Sequence, residues 1–464
     1  MSEKNDVFNE GLERGLEERH IQLMSIGGAI GVGLFLGSAG AIKTASPSLL
    51  LTYAIGGVAL FFILRALGEM AVEHPVSGSF SAYAAKYRGP LAGYLTGWTY
   101  WFNWVATCMA EVTAVGIYIK FWFPNIPQWI TALSAIVLMT LVNLIAVKAF
   151  GEFEFWFALI KVVTIVVMII IGLLMISFGL GNGGKPIGIS NLWSHGGFFP
   201  MDIKGTLSTL VMVAFAFGGI ELIGVTAGEA KNPDKTIPAA INKVLYRILI
   251  FYIGALFVIM SLYPWNQLET IGSPFVMTFN RLGIAAAAGI INFVVLTTAL
   301  SSCNSGIFTT GRMLYNLSLQ GSAPKAFGKL SKNQVPMNGI LASSFVMLIG
   351  VVLNYVAPGK VFVIVASISN FGSIFTWLMI MYCHNGSRKN LTPEQIKKLK
   401  FPLIAYPFTS YIGTGFLILV LVIMCFNPDT LVAIIVGPIW LLALVGGYYG
   451  FGLNNKLKVN ADDI

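Results

Sequence analysis

The chain has 464 residues, 56% of them hydrophobic and 11% charged, with a mean hydropathy of +0.78. A soluble domain carries about 25% charged residues, so a soluble globule is excluded. The formal charge of +9 is spread between apolar runs rather than gathered in one basic segment, and this gives no reason to expect nucleic-acid binding. Apolar runs of about twenty residues recur, each long enough for a ~30 Å hydrocarbon core, and the ~10-residue alternation of a transmembrane β-barrel is missing. The expected class is an all-α polytopic membrane protein with about twelve transmembrane helices.

Residues 1–20 are polar and charged, with no apolar stretch of the kind a cleavable signal peptide needs, and are expected to form a cytoplasmic tail. Spans are then expected at 21–43, 47–72, 91–122, 127–147 and 155–179, and again at 204–228, 239–263, 275–303, 338–357 and 361–384. These ten form a core over 21–384; a loop at 385–404, two further spans within 405–453 and a second cytoplasmic tail at 454–464 complete the chain. The polar stretch 304–337, with Gly321, Pro324 and Pro336, is expected to hold a short helix along the membrane surface. In the second polar stretch Thr392 reads as an N-cap with Pro393 at the first helical position. With the N-terminus inside, 21 of the 29 Lys and Arg residues fall in inner segments, 6 in outer ones, and Arg65 and Lys161 within spans. That bias predicts cytoplasmic termini in the cytoplasmic membrane. Cys108, Cys303, Cys383 and Cys425 sit in or beside apolar runs with no metal-site or disulfide spacing, so neither a metal nor a cofactor is expected.

Two expected spans are interrupted by glycine in the same pattern, GG-x4-G: Gly27 to Gly33 in the first and Gly218 to Gly224 in the sixth. Glycine is a poor helix former, and unwound backbone at membrane depth survives only where it lines a cavity or is buried in protein. Close helix packing through small residues is the competing explanation. Five spans separate the two interruptions, so spans 1–5 and 6–10 would be repeats of opposite orientation, with a binding site at their interface.

Ionisable residues inside spans are expensive and tend to face the bundle interior. Glu221 lies within the second interruption, beside Phe215, Phe217, Gly218 and Gly219; it fits either a substrate ammonium or the backbone N–H groups the break frees. Lys161 in span 5 could snorkel to the inner surface or be a buried amine that exchanges protons. Glu111 lies mid-span 3, where it fits either a substrate amine or a polar group of another span, and Arg65 and Glu69 are spaced for an (i, i+4) pair at the inner end of span 2. Span 8 ends in Leu300-Ser301-Ser302-Cys303-Asn304-Ser305, whose small residues suit close packing or a polar lining, with Ser302 a candidate lining residue; Phe35 and Trp101 are lids or packing. An amino acid suits such a site: its carboxylate can take N–H groups of the Gly27–Gly33 break, and its ammonium the carbonyls around Phe215–Gly219.

The runs RHIQLMSIGGAIGVGLFLGS (19–38), RALGEM (65–70), GEFEFWFALIKV (151–162), FAFGGIELIGVTAGEAKNP (215–233) and INFVVLTTALSSCNSGIF (291–308) resemble the bacterial amino acid permeases of the amino acid–polyamine–organocation superfamily. The resemblance spans essentially the whole chain and is closest to permeases for proline, threonine or serine, and alanine or glycine. It implies a LeuT-like fold with a 5+5 inverted repeat and discontinuous helices 1 and 6. It also implies proton-coupled uptake of a neutral amino acid, with protons and membrane lipid as the other partners. On it, Ser25, Gly27, Gly28 and Gly31 would bind the substrate carboxylate, Phe215 to Glu221 would hold the amine, and Lys161 would stand where related symporters bind sodium. Amino acid exchange without net proton coupling is the alternative, disfavoured by a lysine at 161; a transporter-like sensor would call for longer soluble tails. An enzyme is not expected, with four scattered histidines and no phosphate-binding loop. The oligomeric state is left open.

Overall fold

The computed structural model describes residues 30–76, 78–145, 147–225, 232–268, 273–281, 285–455 and 457, and every regular element among them is helical. Ten helices in this set are long and apolar enough to cross a membrane. They are spans 2–5 and 7–12 of the sequence pattern: Leu49–Glu73, Pro90–Ile119, Gln128–Ile145, Val147–Phe178, Pro233–Leu262, Ala285–Leu319, Met337–Val356, Val361–Lys389, Phe408–Phe426 and Leu431–Gly450. Span 3 and the Ala288–Leu319 part of span 8 are the most enclosed, whereas span 12 is mostly exposed, so the core is built around spans 3 and 8. The wide apolar exposure of spans 5 and 12, such as Ile170 and Leu442, is what lipid-facing helices require.

Spans 1 and 6 are the interrupted ones. The described part of span 1 runs as Val32–Phe35 and Gly37–Ala45. It turns at Ser46, Pro47 and Ser48 directly into span 2. Span 6 runs as Asp202–Ser208 and Leu210–Ala216, leaves the helix over 217–221, and resumes as Leu222–Val225. Gly219 sits at φ 92, a conformation costly to any residue with a Cβ. Interruption and close packing coexist here. A Cβ on Gly33 would stand 2.6 Å from the Ala216 Cα, and one on Gly56 2.8 Å from Val213 Cγ1. The two broken spans therefore cross at van der Waals contact of backbone on backbone.

Span 7 carries a π-helical turn at Ile248–Gly254, which includes Tyr252. Its hydroxyl donates to the Ala216 carbonyl at 2.8 Å, a group left without a helical partner where span 6 unwinds. π-helical turns inside α-helices are frequent at functional sites.

Two connections differ from expectation. The segment between spans 2 and 3 contains a helix, Ser79–Arg88, entered through Gly78 at φ 90. In the stretch 304–337 span 8 continues unbroken to Leu319, and the one separate helix among the described residues is a short 3-10 segment at Lys325–Gly328 with no buried residue. The inner half of span 8 carries Thr309, Thr310 and Arg312, which read as a membrane exit, yet all three are buried against neighbouring helices, with the Arg312 guanidinium 3.6 Å from the Phe308 ring centroid. Hydropathy registers lipid, not protein, as an apolar surrounding. The connector at 385–404 holds the expected capped turn: Gln395 N–H donates to Thr392 Oγ1 and Thr392 N–H to Gln395 Oε1, with Pro393 at the first helical position.

The Gly33 crossing sets a first prediction. Gly33→Ala forces a methyl into the Ala216 backbone and should cost about 1–3 kcal/mol, read as a lower melting temperature in detergent. Gly40→Ala, where a Cβ meets nothing within 4 Å, should leave melting unchanged.

Candidate functional site

At the first interruption the chain is extended at Gly31 (φ −117, ψ −166) before Val32–Phe35 begins. The Leu34 N–H turns to the Gly31 carbonyl at 3.2 Å, leaving the Ile30 carbonyl outside the helix. Lys161 takes it: its Nζ donates to Ile30 O at 3.4 Å and to Ser301 Oγ at 3.2 Å. The side chain is fully buried and does not snorkel. Ser301 in turn donates to Glu154 Oε1 at 2.7 Å.

The same break is met from span 3. The Glu111 carboxylate lies beside the Val32 backbone and the Ser302 hydroxyl. A Cβ on Gly31 would lie 3.0 Å from Glu111 Oε1 and 3.7 Å from Ser302 Oγ, so Gly31 is where backbone, acid and hydroxyl meet. Glu111 Oε2 is buried with no hydrogen-bond partner among the described residues.

At the second interruption Glu221 Oε2 accepts from the Gly219 N–H and from Trp377 Nε1, both at 3.2 Å. Its Oε1 has no hydrogen-bond partner among the described residues. Gly218 faces the Phe215 carbonyl and Ser373 Oγ, which a Cβ would approach to 3.2 and 3.7 Å. Ser373 and Ser369 both donate to Asn103 Oδ1, at 3.2 and 2.8 Å. Phe215 packs edge-on to Phe362 with centroids 6.1 Å apart. Phe217 is placed elsewhere, between Tyr53 and Tyr252 of spans 2 and 7, with centroids at 5.6 and 5.1 Å.

The structure thus brings Gly31, Glu111, Ser302 and Lys161 to one break and Phe215, Gly218 and Glu221 to the other. Ser25, Gly27 and Gly28 lie outside the described residues. Trp101 and Phe35 are both packed: the Trp101 indole donates to Ser343 Oγ at 2.9 Å, and Phe35 lies 4.8 Å from Phe275 between centroids.

A model of one family, described as amino acid permease, matches residues 20–459. The chain belongs to the amino acid permease family. It is 62% identical over 452 residues to an uncharacterized amino acid permease of Bacillus subtilis, YtnA, covering 97% of this chain and 98% of that one. It is 52% identical over 454 residues to the probable threonine/serine transporter YbxG of the same organism, covering 98% of each. It is 47% identical over 439 residues to the aromatic amino acid transport protein AroP of Escherichia coli, covering 95% of this chain and 96% of the relative. Membership accounts for a multi-pass, all-helical membrane protein of LeuT-like fold whose business is amino acid transport.

Several site residues of this permease escaped the sequence reading. Glu154 is seven residues before Lys161, two helical turns along one face, and that spacing was a usable signal. Asn103, Thr107 and Glu111 recur every fourth residue along span 3, a polar stripe on an apolar helix. Trp377, Ser373 and Tyr252 gave no such signal; they are placed by tertiary packing.

The inner end of the permease corrects one expectation. Glu69 does not pair with Arg65. It is held by Arg388 at 2.6 Å, by His384 at 3.2 Å and by the Leu403 N–H at 2.6 Å. Arg65 turns instead to the Pro402 carbonyl, to Asn242 Oδ1 at 3.4 Å and to the Phe401 ring, 3.6 Å from its centroid. An (i, i+4) neighbour competes poorly with a bidentate guanidinium fixed by another helix. The Glu69 and Arg388 side chains are only 3% and 5% exposed. Glu69→Ala, which strands a buried cation, should cost about 3–5 kcal/mol of stability, read as a large fall in melting temperature in detergent; Glu73→Ala, at an exposed position, serves as the comparison.

Proposed function

We propose that the protein imports a neutral amino acid across the cytoplasmic membrane by proton symport, with both termini in the cytoplasm and spans 1–5 and 6–10 as inverted repeats. One observation carries the reading: Lys161 is a wholly buried amine bonded to the broken backbone of span 1 and to span 8. Its charge bears directly on the segment that would hold the substrate carboxylate. A change of protonation there alters the Ile30 carbonyl contact, so proton binding and backbone geometry are linked.

The substrate carboxylate would take the backbone N–H groups of the first break, around Ser25, Gly27, Gly28 and Gly31, with Ser302 alongside. The ammonium would meet the Phe215 carbonyl and the open Oε1 of Glu221, and Glu111 would close the far side of the Gly31 backbone. A neutral substrate side chain suits the groups beside Gly218, where Ser373, Ser369 and Asn103 offer hydrogen bonds and no charge. The relatives named for threonine/serine and for aromatic amino acids take neutral side chains too.

Purified protein in proteoliposomes with an inward proton gradient should accumulate one or a few of a panel that includes L-threonine, L-serine, L-proline, L-alanine and L-phenylalanine. A protonophore should abolish accumulation, and sodium should not affect it. Uptake only into vesicles preloaded with amino acid would establish exchange instead. Lys161→Ala should abolish accumulation while equal-pH counterflow persists. Glu221→Gln should weaken substrate binding at least tenfold, the loss of about 1.5–3 kcal/mol expected for a hydrogen bond to a charged group; wild-type affinity in a binding titration would leave Glu221 with only its structural bonds to Gly219 and Trp377.

A further inference from the structure

Glu154 has no part in the reading above, yet it is 1% exposed on the same helix as Lys161. Seven residues separate them, about 10 Å along the axis. A carboxyl and an amine cannot touch over that axial distance without a bridge or long reach, and here a hydroxyl stands between them. The hydrogen bonds run in one direction: Lys161 Nζ donates to Ser301 Oγ at 3.2 Å, and Ser301 Oγ donates to Glu154 Oε1 at 2.7 Å. A hydroxyl that accepts on one side and donates on the other is the minimal proton relay.

The surroundings suit that role. The charged groups acting on Lys161 are Glu154 from its own helix and Glu111 from span 3; the one acting on Glu154 is Lys161. The other groups around Glu154 are uncharged: Ser301, Asn304 and Ser305 of span 8. Asn304 continues the polar path to span 4, where Asn143 Nδ2 donates to its Oδ1 at 2.8 Å. Glu154 lies nearer than Lys161 to the N-terminal end of span 5, the end predicted to face the cytoplasm.

We propose that Glu154 is the proton-exchange partner of Lys161, connected through Ser301, and passes the coupled proton between the site and the inner side. In the forward step a Lys161 N–H bond breaks and its proton binds Ser301 Oγ; the original Ser301 proton moves to Glu154 Oε1. Ammonium and carboxylate become amine and carboxylic acid, Ser301 is unchanged, and no electrons are transferred. Glu154 then releases the proton to water from the inner side. Glu154 is a positioning and relay residue, with no contact to substrate, and the inference rests on the reading of Lys161 as the coupling site.

The test compares wild type, Glu154→Gln, Glu154→Asp, Ser301→Ala and Lys161→Ala in proteoliposomes, using whichever of L-threonine and L-phenylalanine the wild type accumulates. Proton-driven accumulation and substrate-coupled acidification, followed with a trapped pH dye, are measured against internal pH, alongside equal-pH counterflow. Glu154→Gln and Ser301→Ala should keep counterflow but lose at least about tenfold in accumulation and acidification; the pH profile should flatten in Glu154→Gln and return in part in Glu154→Asp. A wild-type pH profile and accumulation in Glu154→Gln would overturn the relay. So would equal loss of counterflow and accumulation in both relay variants, which marks a structural role. If Lys161→Ala loses accumulation while Glu154→Gln keeps it, the relay alone fails; if Lys161→Ala keeps it, the coupling-site reading itself fails.

Discussion

Backbone that leaves the helix inside a membrane must find polar partners within the protein, because lipid offers none. This constraint orders the centre of the molecule. The Ile30 carbonyl is met by Lys161, the Val32 backbone by Glu111, the Gly219 N–H by Glu221 and the Ala216 carbonyl by Tyr252. Each of these four side chains reaches a broken helix, three of them from another span and Glu221 from within the break itself. The expensive buried groups are therefore the scaffold that makes two interruptions tolerable, and their cost is offset by the backbone groups they satisfy.

The same economy explains why scaffold and chemistry share residues. A carboxylate has more acceptor capacity than one backbone N–H can fill, and an ammonium has three donors. Glu221 uses one oxygen for Gly219 and Trp377, and the Glu111 carboxylate sits beside Val32 and Ser302. What is left over, Glu111 Oε2 and Glu221 Oε1, is buried with no hydrogen-bond partner among the described residues. On the proposed reading, a substrate that reached these oxygens would compete for, or complete, the bonds that hold the broken helices.

How much was legible in the residues follows from what hydropathy senses. Spans such as Met337–Val356 and Leu431–Gly450 lie within a few residues of expectation because lipid exposure decides them. The GG-x4-G run at 218–224 announced the break in span 6, and Gly31 of the first run is extended where Val32–Phe35 begins, since three glycines in seven residues have no cheap helical reading. Ser79–Arg88 was not foreseen, being too short and polar to look like a span, and the inner half of span 8 was hidden because Thr310 and Arg312 are buried in protein. Arg65 and Glu69 misled because local spacing reports only neighbours on one helix, while Arg388 and His384 come from span 10. Glu154 was in plain view two turns from Lys161, but its partner Ser301 lies 147 positions away and only folding joins them.

The crossing of Gly33 with Ala216 has a mechanical side. Contacts between side chains can slide and reset through rotamers, and each resetting dissipates some of the displacement. A contact between bare backbone has no rotamers to reset. It resists shear and separation yet leaves rotation about the point of contact comparatively free. The helical segments Val32–Phe35 and Leu210–Ala216, seated this way, form a bearing at the centre of the bundle, so a small tilt of one is passed to the other with little lost in the contact itself.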